Sequence, residues 1–465
     1  VSSPSSNTAT RTHNPVVTVV TAALTLFSMF FGAGNLIFPP MVGVQAGTNF
    51  WPAVLGFLAA GVLLPVLAIV AVAISGNNVR DLASRGGAWF GVAFSVLAYL
   101  AIGAFYALPR TGAVSMETAI TPLTGWDSQL ASGAFNLVFF LIALAFAWRP
   151  NSIIDILGRF LTPALVLLLS ALIALALFNY DRVPAAPVEA YAESPMATGL
   201  FEGYNTMDAI AGLAFGIVVI SSLKSKGFGS GGHMVRGTVI TGLIAGVLLA
   251  AIYLGLAYMA QTMPNGQSYE SGAFLLADSA NMTMGTAGQA IFSLIVLLAC
   301  LTTAVGLISA TSEFFNYLVP RVAYHVWAVG FTALSILIAF RGLEAVLAVA
   351  VPFITFLYPP AITLIVLSII QPLVASRMSF YWTYRLSLWT AVVWSALTVI
   401  SDQGWGTGVL EPLLAWSPGQ ALDLGWAVPT ACAAVIGVVL DALLKTGARR
   451  HERMEAYATQ SSQAA

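Results

Sequence analysis

Apolar stretches of about 20 residues, each long enough to cross a ~30 Å hydrocarbon core as a helix, recur along the whole chain between short polar connections. They fall near residues 16–44, 51–75, 88–114, 133–148, 156–178 and 199–223, then near 236–262, 286–312, 323–340, 344–371, 385–401 and 424–444. A transmembrane β-barrel would instead show short segments of alternating polarity, and none occur. The pattern predicts twelve membrane-spanning helices.

Two of the twelve are interrupted. The first contains Ser28-Met-Phe-Phe-Gly-Ala-Gly-Asn-Leu-Ile-Phe-Pro-Pro40, with two glycines, an asparagine and two prolines inside an apolar run. The sixth contains Asp208, Gly212 and Gly216 at mid-depth. Backbone polar groups at membrane depth must be satisfied internally, so a helix breaks there only where it lines a buried cavity. Gly32 and Gly34 let backbone approach a ligand, and Pro39 and Pro40 are tolerated early in a half-helix. The free amides and positive dipole end of such a half-helix suit a carboxylate. Breaks five helices apart predict two repeats, 15–178 and 199–371. An odd number of spans per repeat inverts the second relative to the first. Residues 384–446 then form two peripheral helices.

Charge placement orients these spans. Arg11, Arg80, Arg85, Arg149, Arg159, Lys224, Lys226, Arg236, Arg321, Arg377, Arg385 and Lys445 fall in one alternate set of loops, and the opposite set holds only Arg182 and Arg341 with many acids. Because Lys and Arg concentrate on the cytoplasmic side, both termini are predicted to lie inside. Residues 1–14 are expected to form a disordered cytoplasmic tail rather than a cleaved signal peptide, and 447–465 a second cytoplasmic tail. With 58% hydrophobic and 8% charged residues and a mean hydropathy of +0.88, a soluble enzyme is excluded. Cys300 and Cys432 lie in apolar spans, so no disulfide framework is expected.

A few polar residues inside the spans could carry chemistry. Thr302 and Thr303 offer two hydroxyls on a buried helix, hard oxygens of the kind a small cation needs, although such threonines also back-bond to the preceding turn. Asp208 is an intramembrane carboxylate, a functional candidate by default; it could cap a half-helix, sense protons or hold an amine. Arg110 is read either as part of an outer gate with Glu117 or Glu202, or as a snorkelling interfacial arginine. Tyr106, one turn deeper, could cover a substrate or simply pack. The four histidines fall in loops and tails. No metal-ligand cluster, Walker loop or nucleophile elbow occurs, so neither an enzyme nor a nucleotide-driven pump is expected, and no nucleic-acid partner.

Three stretches resemble the bacterial branched-chain amino acid:cation symporter family (BrnQ type): Phe27-Ser-Met-Phe-Phe-Gly-Ala-Gly-Asn-Leu-Ile-Phe-Pro39, Gly203-Tyr-Asn-Thr-Met-Asp-Ala209 and Leu301-Thr-Thr-Ala-Val-Gly306. The resemblance implies an all-α integral membrane protein of the bacterial cytoplasmic membrane, with the leucine-transporter-like five-plus-five inverted repeat of the amino acid–polyamine–cation superfamily. It implies import of leucine, isoleucine and valine coupled to Na⁺, with H⁺ as the alternative ion. Gly32, Ala33, Gly34 and Asn35 look like the unwound part of the first helix, which would take the substrate carboxylate. Gly212 to Gly216 resemble the sixth-helix break, whose carbonyls would take the ammonium. Tyr106, Phe215 and Leu307 would bound the aliphatic pocket, with Asp208 nearby. Ala299, Thr302 and Thr303 match the family architecture's sodium motif, which the carbonyls of Ser28 and Phe31 would complete.

Apart from Arg159, close to the membrane boundary, no ionisable residue lies in the cytoplasmic half of segment five, where proton-coupled relatives often carry a lysine; this favours Na⁺ over H⁺ without excluding protonation of Asp208. The expected partners are the branched-chain substrate and the lipid bilayer, in a monomer or weak homo-oligomer. The competing readings are a channel or transport-like receptor, and a proton-coupled carrier of another apolar amino acid.

Overall fold

The computed structural model describes residues 15–444 apart from 77, 150–156, 183, 229–230, 376–377 and 421–423. The expected terminal tails lie outside the described residues. Among the described residues the chain is helical throughout. Eight helices are long and apolar enough to cross a membrane, and Pro15–Phe30, Tyr324–Ala339 and Ala427–Leu443 are shorter apolar helices.

The first apolar segment divides into α1 (Pro15–Phe30) and α2 (Ala33–Ala46). It is followed by α3 (residues 50–75), α4 (Ala88–Thr124), α5 (Gln129–Ala147) and α6 (Leu157–Asn179). The sixth segment divides into α7 (Pro195–Asn205) and α8 (Asp208–Ser225). Then come α9 (Gly232–Ala260), α10 (Gly272–Met284), α11 (Thr286–Leu318), α12 (Tyr324–Ala339) and α13 (Leu343–Val374). Last are α14 (Trp382–Asp402), α15 (Thr407–Ala415) and α16 (Ala427–Leu443).

The broken helices occupy the middle of the bundle. α1 packs on α8, α9 and α11, α2 packs on α9, and α8 packs on the later part of α3. Most of α8 is buried and it is apolar on nearly every face, as expected of a helix enclosed by other helices. Outer helices behave oppositely: Phe178 on α6 and Val247 on α9 are 89% and 70% exposed, positions that only a lipid-facing surface accommodates in such number. α14 and α16 pack chiefly on each other, with α13 alongside α14. Asp441 of α16 accepts hydrogen bonds from the amides of Tyr381, Trp382 and Thr383 at 2.9–3.0 Å, satisfying the orphan donors at the start of α14.

Three sequence expectations need correction. The break in the sixth segment falls at Thr206-Met207, not at Gly212–Gly216. Met207 adopts a left-handed backbone, φ 67°, and the Asp208 amide donates to Thr206 Oγ1 at 3.3 Å, so Thr206 starts α8 in the manner of a side-chain cap. Gly212 and Gly216 are interior to α8 and serve close packing on α3. A Cβ on Gly212 would lie 2.7 Å from the Pro65 carbonyl oxygen, and one on Gly216 would lie 2.9 Å from Val72, the role small residues have between membrane helices.

The third segment does not end near 114 but continues to Thr124. Arg110 therefore sits well inside α4 and is only 6% exposed, which excludes the snorkelling reading. Finally, α10 was not anticipated. Its polar residues Asp278 and Asn281 hide a face of Ala273, Leu275, Leu276 and Ala280 that is buried against α2 and α11.

Candidate functional site

The two breaks meet. Gly32 caps α2 in an extended conformation, and its amide donates to Asn35 Oδ1 at 3.3 Å. With that donor occupied, the amides of Ala33 and Gly34 head the half-helix, where they lack intrahelical acceptors. Asn35 then crosses to the second break. Its Nδ2 donates to Asp208 Oδ2 at 2.7 Å and contacts the Tyr253 hydroxyl. Tyr253, on α9, itself donates to Asp208 Oδ2 at 3.0 Å. One asparagine side chain thus ties the start of α2 to the start of α8.

Around this bridge lies a cavity of about 50 Å³, lined by Gly32, Gly34, Asn35, Tyr106, Arg110, Asp208, Phe215, Thr303 and Leu307, among others. It is far smaller than the ~300–1,000 Å³ of typical ligand pockets, so the lining groups stand close together. Its apolar side includes Met29, Phe30, Ile102, Phe215 and Leu307, with the Phe30 and Phe215 rings 5.5 Å apart edge to face. Its polar side carries the α2 N-terminus, the Arg110 guanidinium and the Asp208 carboxylate. Of the expected substrate residues, Gly32, Gly34, Asn35, Tyr106, Asp208, Phe215 and Leu307 are brought together here. Ala33 contributes backbone at the first turn of α2. Gly212 is the exception, packed against α3 instead.

Of the expected cation ligands, Ser28, Ala299, Thr302 and Thr303 converge. Thr302 Oγ1 lies 3.0 Å from the carbonyl oxygens of both Ser28 and Ala299, and Thr303 Oγ1 lies 3.3 Å from the Ser28 carbonyl. Phe31, with its amide on the Phe27 carbonyl at 2.8 Å, is fully buried at the end of the same helix. The Ser28, Ala299, Thr302 and Thr303 oxygens are neutral and hard and come from α1 and α11, a donor set suited to a small hard cation. The two sites are contiguous: Thr303 lines the cavity, and a Cβ on Gly32 would lie 2.8 Å from its hydroxyl.

Sequence reasoning missed Tyr253 and misplaced Arg110. A tyrosine in an apolar helix signals a hydroxyl that needs a buried partner, but nothing local identifies that partner as Asp208, 45 residues earlier. The apolar pattern fades near residue 114, which sets Arg110 near the end of its span, whereas the helix continues to Thr124.

A model of the family described as branched-chain amino acid transport protein matches residues 16–444. The branched-chain amino acid permease BrnQ of Corynebacterium glutamicum is 54% identical over 424 residues, covering 91% of this chain and 95% of the relative. The permease BraB of Bacillus subtilis is 36% identical over 429 residues, covering 92% and 96%. Among solved structures, Mhp1, a nucleobase-cation-symport-1 family transporter in a closed conformation with bromovinylhydantoin bound, superposes with a TM-score of 0.60 at 12% identity, covering 93% of each chain. A Na⁺-coupled sialic acid symporter in a substrate-bound outward-open state superposes with a TM-score of 0.55 at 14% identity, covering 91% of this chain and 90% of that one. At such identity the likeness is one of fold: an all-helical membrane protein of the leucine-transporter-like type.

Proposed function

This chain belongs to the branched-chain amino acid transport protein family, and on that premise we propose that it is a secondary symporter importing leucine, isoleucine and valine with Na⁺ by alternating access. The observation that carries this reading is the convergence of both helix breaks and a carboxylate on one cavity, with the Ser28–Thr302–Thr303 oxygen cluster adjoining it through Thr303. The amides of Ala33 and Gly34 receive the substrate carboxylate. Asp208, with the carbonyls left without helical partners at the end of α7, receives the ammonium. Phe30, Phe215 and Leu307 enclose the branched side chain.

The coupling ion is held by Ser28, Phe31, Ala299, Thr302 and Thr303, where its charge ties the end of α1 to α11. Because the cavity is small and its walls come from α1, α4, α8 and α11, admitting a branched side chain requires these helices to separate. Alternation of which end separates gives access to each side in turn. The family's place in the amino acid–polyamine–cation superfamily, twelve spans arranged as two inverted repeats, cytoplasmic termini and residence in the bacterial cytoplasmic membrane complete the proposal.

Equilibrium binding of labelled leucine to the purified protein tests it. Binding is expected to require Na⁺ and to be displaced by isoleucine and valine but weakly by alanine, because each lost methylene removes about 1–3 kcal/mol of discrimination. Leucine binding that ignores Na⁺, or equal displacement by alanine, would count against it.

A further inference from the structure

We propose that the buried guanidinium of Arg110 is a direct receptor for the substrate carboxylate, making a free carboxylate on the ligand a condition of recognition. The inference rests on the symporter reading above and identifies the specificity-determining charge of the same cavity. Arg110 is 6% exposed in the interior of α4. The partners the structure gives its guanidinium are the Tyr106 hydroxyl and the faces of Tyr106 and Phe38, with ring centroids at 5.2 Å and 5.9 Å. None of these carries negative charge. The Asp208 carboxylate across the cavity acts on it electrostatically but makes no hydrogen bond to it, so the buried guanidinium keeps part of its desolvation cost and most of its five donors remain available.

The position of the guanidinium tells what it awaits. Its Nη2 lies 2.6 Å from the point where a Cβ of Gly34 would stand, with Cζ at 3.3 Å and Nη1 at 3.5 Å. Gly34 is the second residue of α2, so the guanidinium lies against the N-terminal turn that already offers amides and the positive end of a helix dipole. Two positive features side by side disfavour each other until an anion lies between them. A planar carboxylate fits both, because guanidinium binds it as a two-pronged fork while amides take its remaining lone pairs. Asp208 lines the same cavity, so the polar wall carries both a positive and a negative group. That arrangement matches a zwitterion and disfavours a ligand bearing only one charge. It also gives Gly34 a second reason to be glycine: any side chain there displaces the guanidinium.

The test is a cycle between residue and ligand group. Labelled-leucine binding to the purified full chain in Na⁺ is competed with leucine and with leucinol, which replaces the carboxylate by a hydroxymethyl group, for the wild type, Arg110→Gln and Arg110→Lys. Arg110→Gln is expected to weaken leucine by about 30-fold or more, the usual cost of truncating one partner of a buried charged pair. Leucinol affinity should change by less than about threefold. Arg110→Lys should fall between for leucine, since ammonium keeps the charge but loses the fork.

As a second readout, the carboxylate stretch of bound 1-¹³C-leucine in the infrared should differ between wild type and Arg110→Lys. Equal losses for leucine and leucinol, or an unchanged carboxylate stretch in Arg110→Lys, would overturn the assignment and leave Arg110 a structural residue. Failure of the wild type itself to bind leucine would instead refute the symporter reading on which the inference rests.

Discussion

Replacing Asn35 by alanine removes the one side chain that joins the two helix breaks. Three contacts go with it: the 3.3 Å bond from the Gly32 amide, the 2.7 Å bond to Asp208 and the contact with the Tyr253 hydroxyl. A hydrogen bond to a charged group contributes about 1.5–3 kcal/mol and a neutral one about 0.5–1.5 kcal/mol. Asp208 retains Tyr253, so the expected net loss is roughly 3 kcal/mol, or about 100-fold in affinity if it falls wholly on the arrangement that holds the substrate.

Leucine binding to purified Asn35→Ala in saturating Na⁺ measures this, with thermal unfolding alongside to separate site loss from general destabilisation. Asn35 and Tyr253 share one acceptor oxygen, so combining Asn35→Ala with Tyr253→Phe should be non-additive by at least ~0.5 kcal/mol. Leucine affinity within threefold of wild type at an unchanged melting temperature would refute the bridge, as would strict additivity.

Other substitutions probe separate parts of the site. Thr303→Val removes the hydroxyl 3.3 Å from the Ser28 carbonyl without changing shape; the Na⁺ concentration for half-maximal leucine binding should rise by about tenfold. An unchanged Na⁺ requirement would remove Thr303 from the cation site. Phe215→Ala enlarges the apolar wall facing Phe30 and should shift preference toward larger side chains such as methionine and phenylalanine by about 1–3 kcal/mol, read by competition against leucine. Gly212→Leu forces a side chain into the Pro65 carbonyl, where even a Cβ comes to 2.7 Å. Thermal stability should fall by more than ~2 kcal/mol, while the leucine affinity of the surviving folded fraction stays near wild type. A selective loss of binding at full stability would return Gly212 to the substrate site.

The first break was legible in the sequence because the cluster of Gly-x-Gly-Asn followed by Pro-Pro supplies both a flexible gap and a fresh helix N-terminus, more than a proline kink with packed glycines requires. The structure interrupts the helix at Phe31-Gly32, inside that cluster. The second break was harder to place. Gly212 and Gly216 look like flexible points but are packing residues, whereas the chain turns at Met207, whose left-handed backbone no propensity announces. There the decisive signal was Thr206 two residues before Asp208, a capping arrangement overshadowed by the glycines. Arg110 illustrates a different limit. Apolar periodicity marks where a span begins better than where it ends, and extending α4 to Thr124 moves the arginine from an interface to the cavity wall. Tyr253 could be suspected only as a hydroxyl in need of a partner, since the partner is supplied by tertiary packing. The oxygen cluster at Ser28, Ala299, Thr302 and Thr303 depended on the family resemblance for its assembly. Spacing along one helix cannot reveal which carbonyls of another helix face it.

The central claim, that leucine and Na⁺ enter together through the site between the two breaks, is tested most directly by uptake of labelled leucine into proteoliposomes under imposed gradients. An inward Na⁺ gradient should drive leucine above its external concentration, with isoleucine and valine competing and Thr303→Val shifting the Na⁺ dependence upward. Accumulation driven by a proton gradient in the absence of Na⁺, or equilibration without accumulation under an inward Na⁺ gradient, would contradict it.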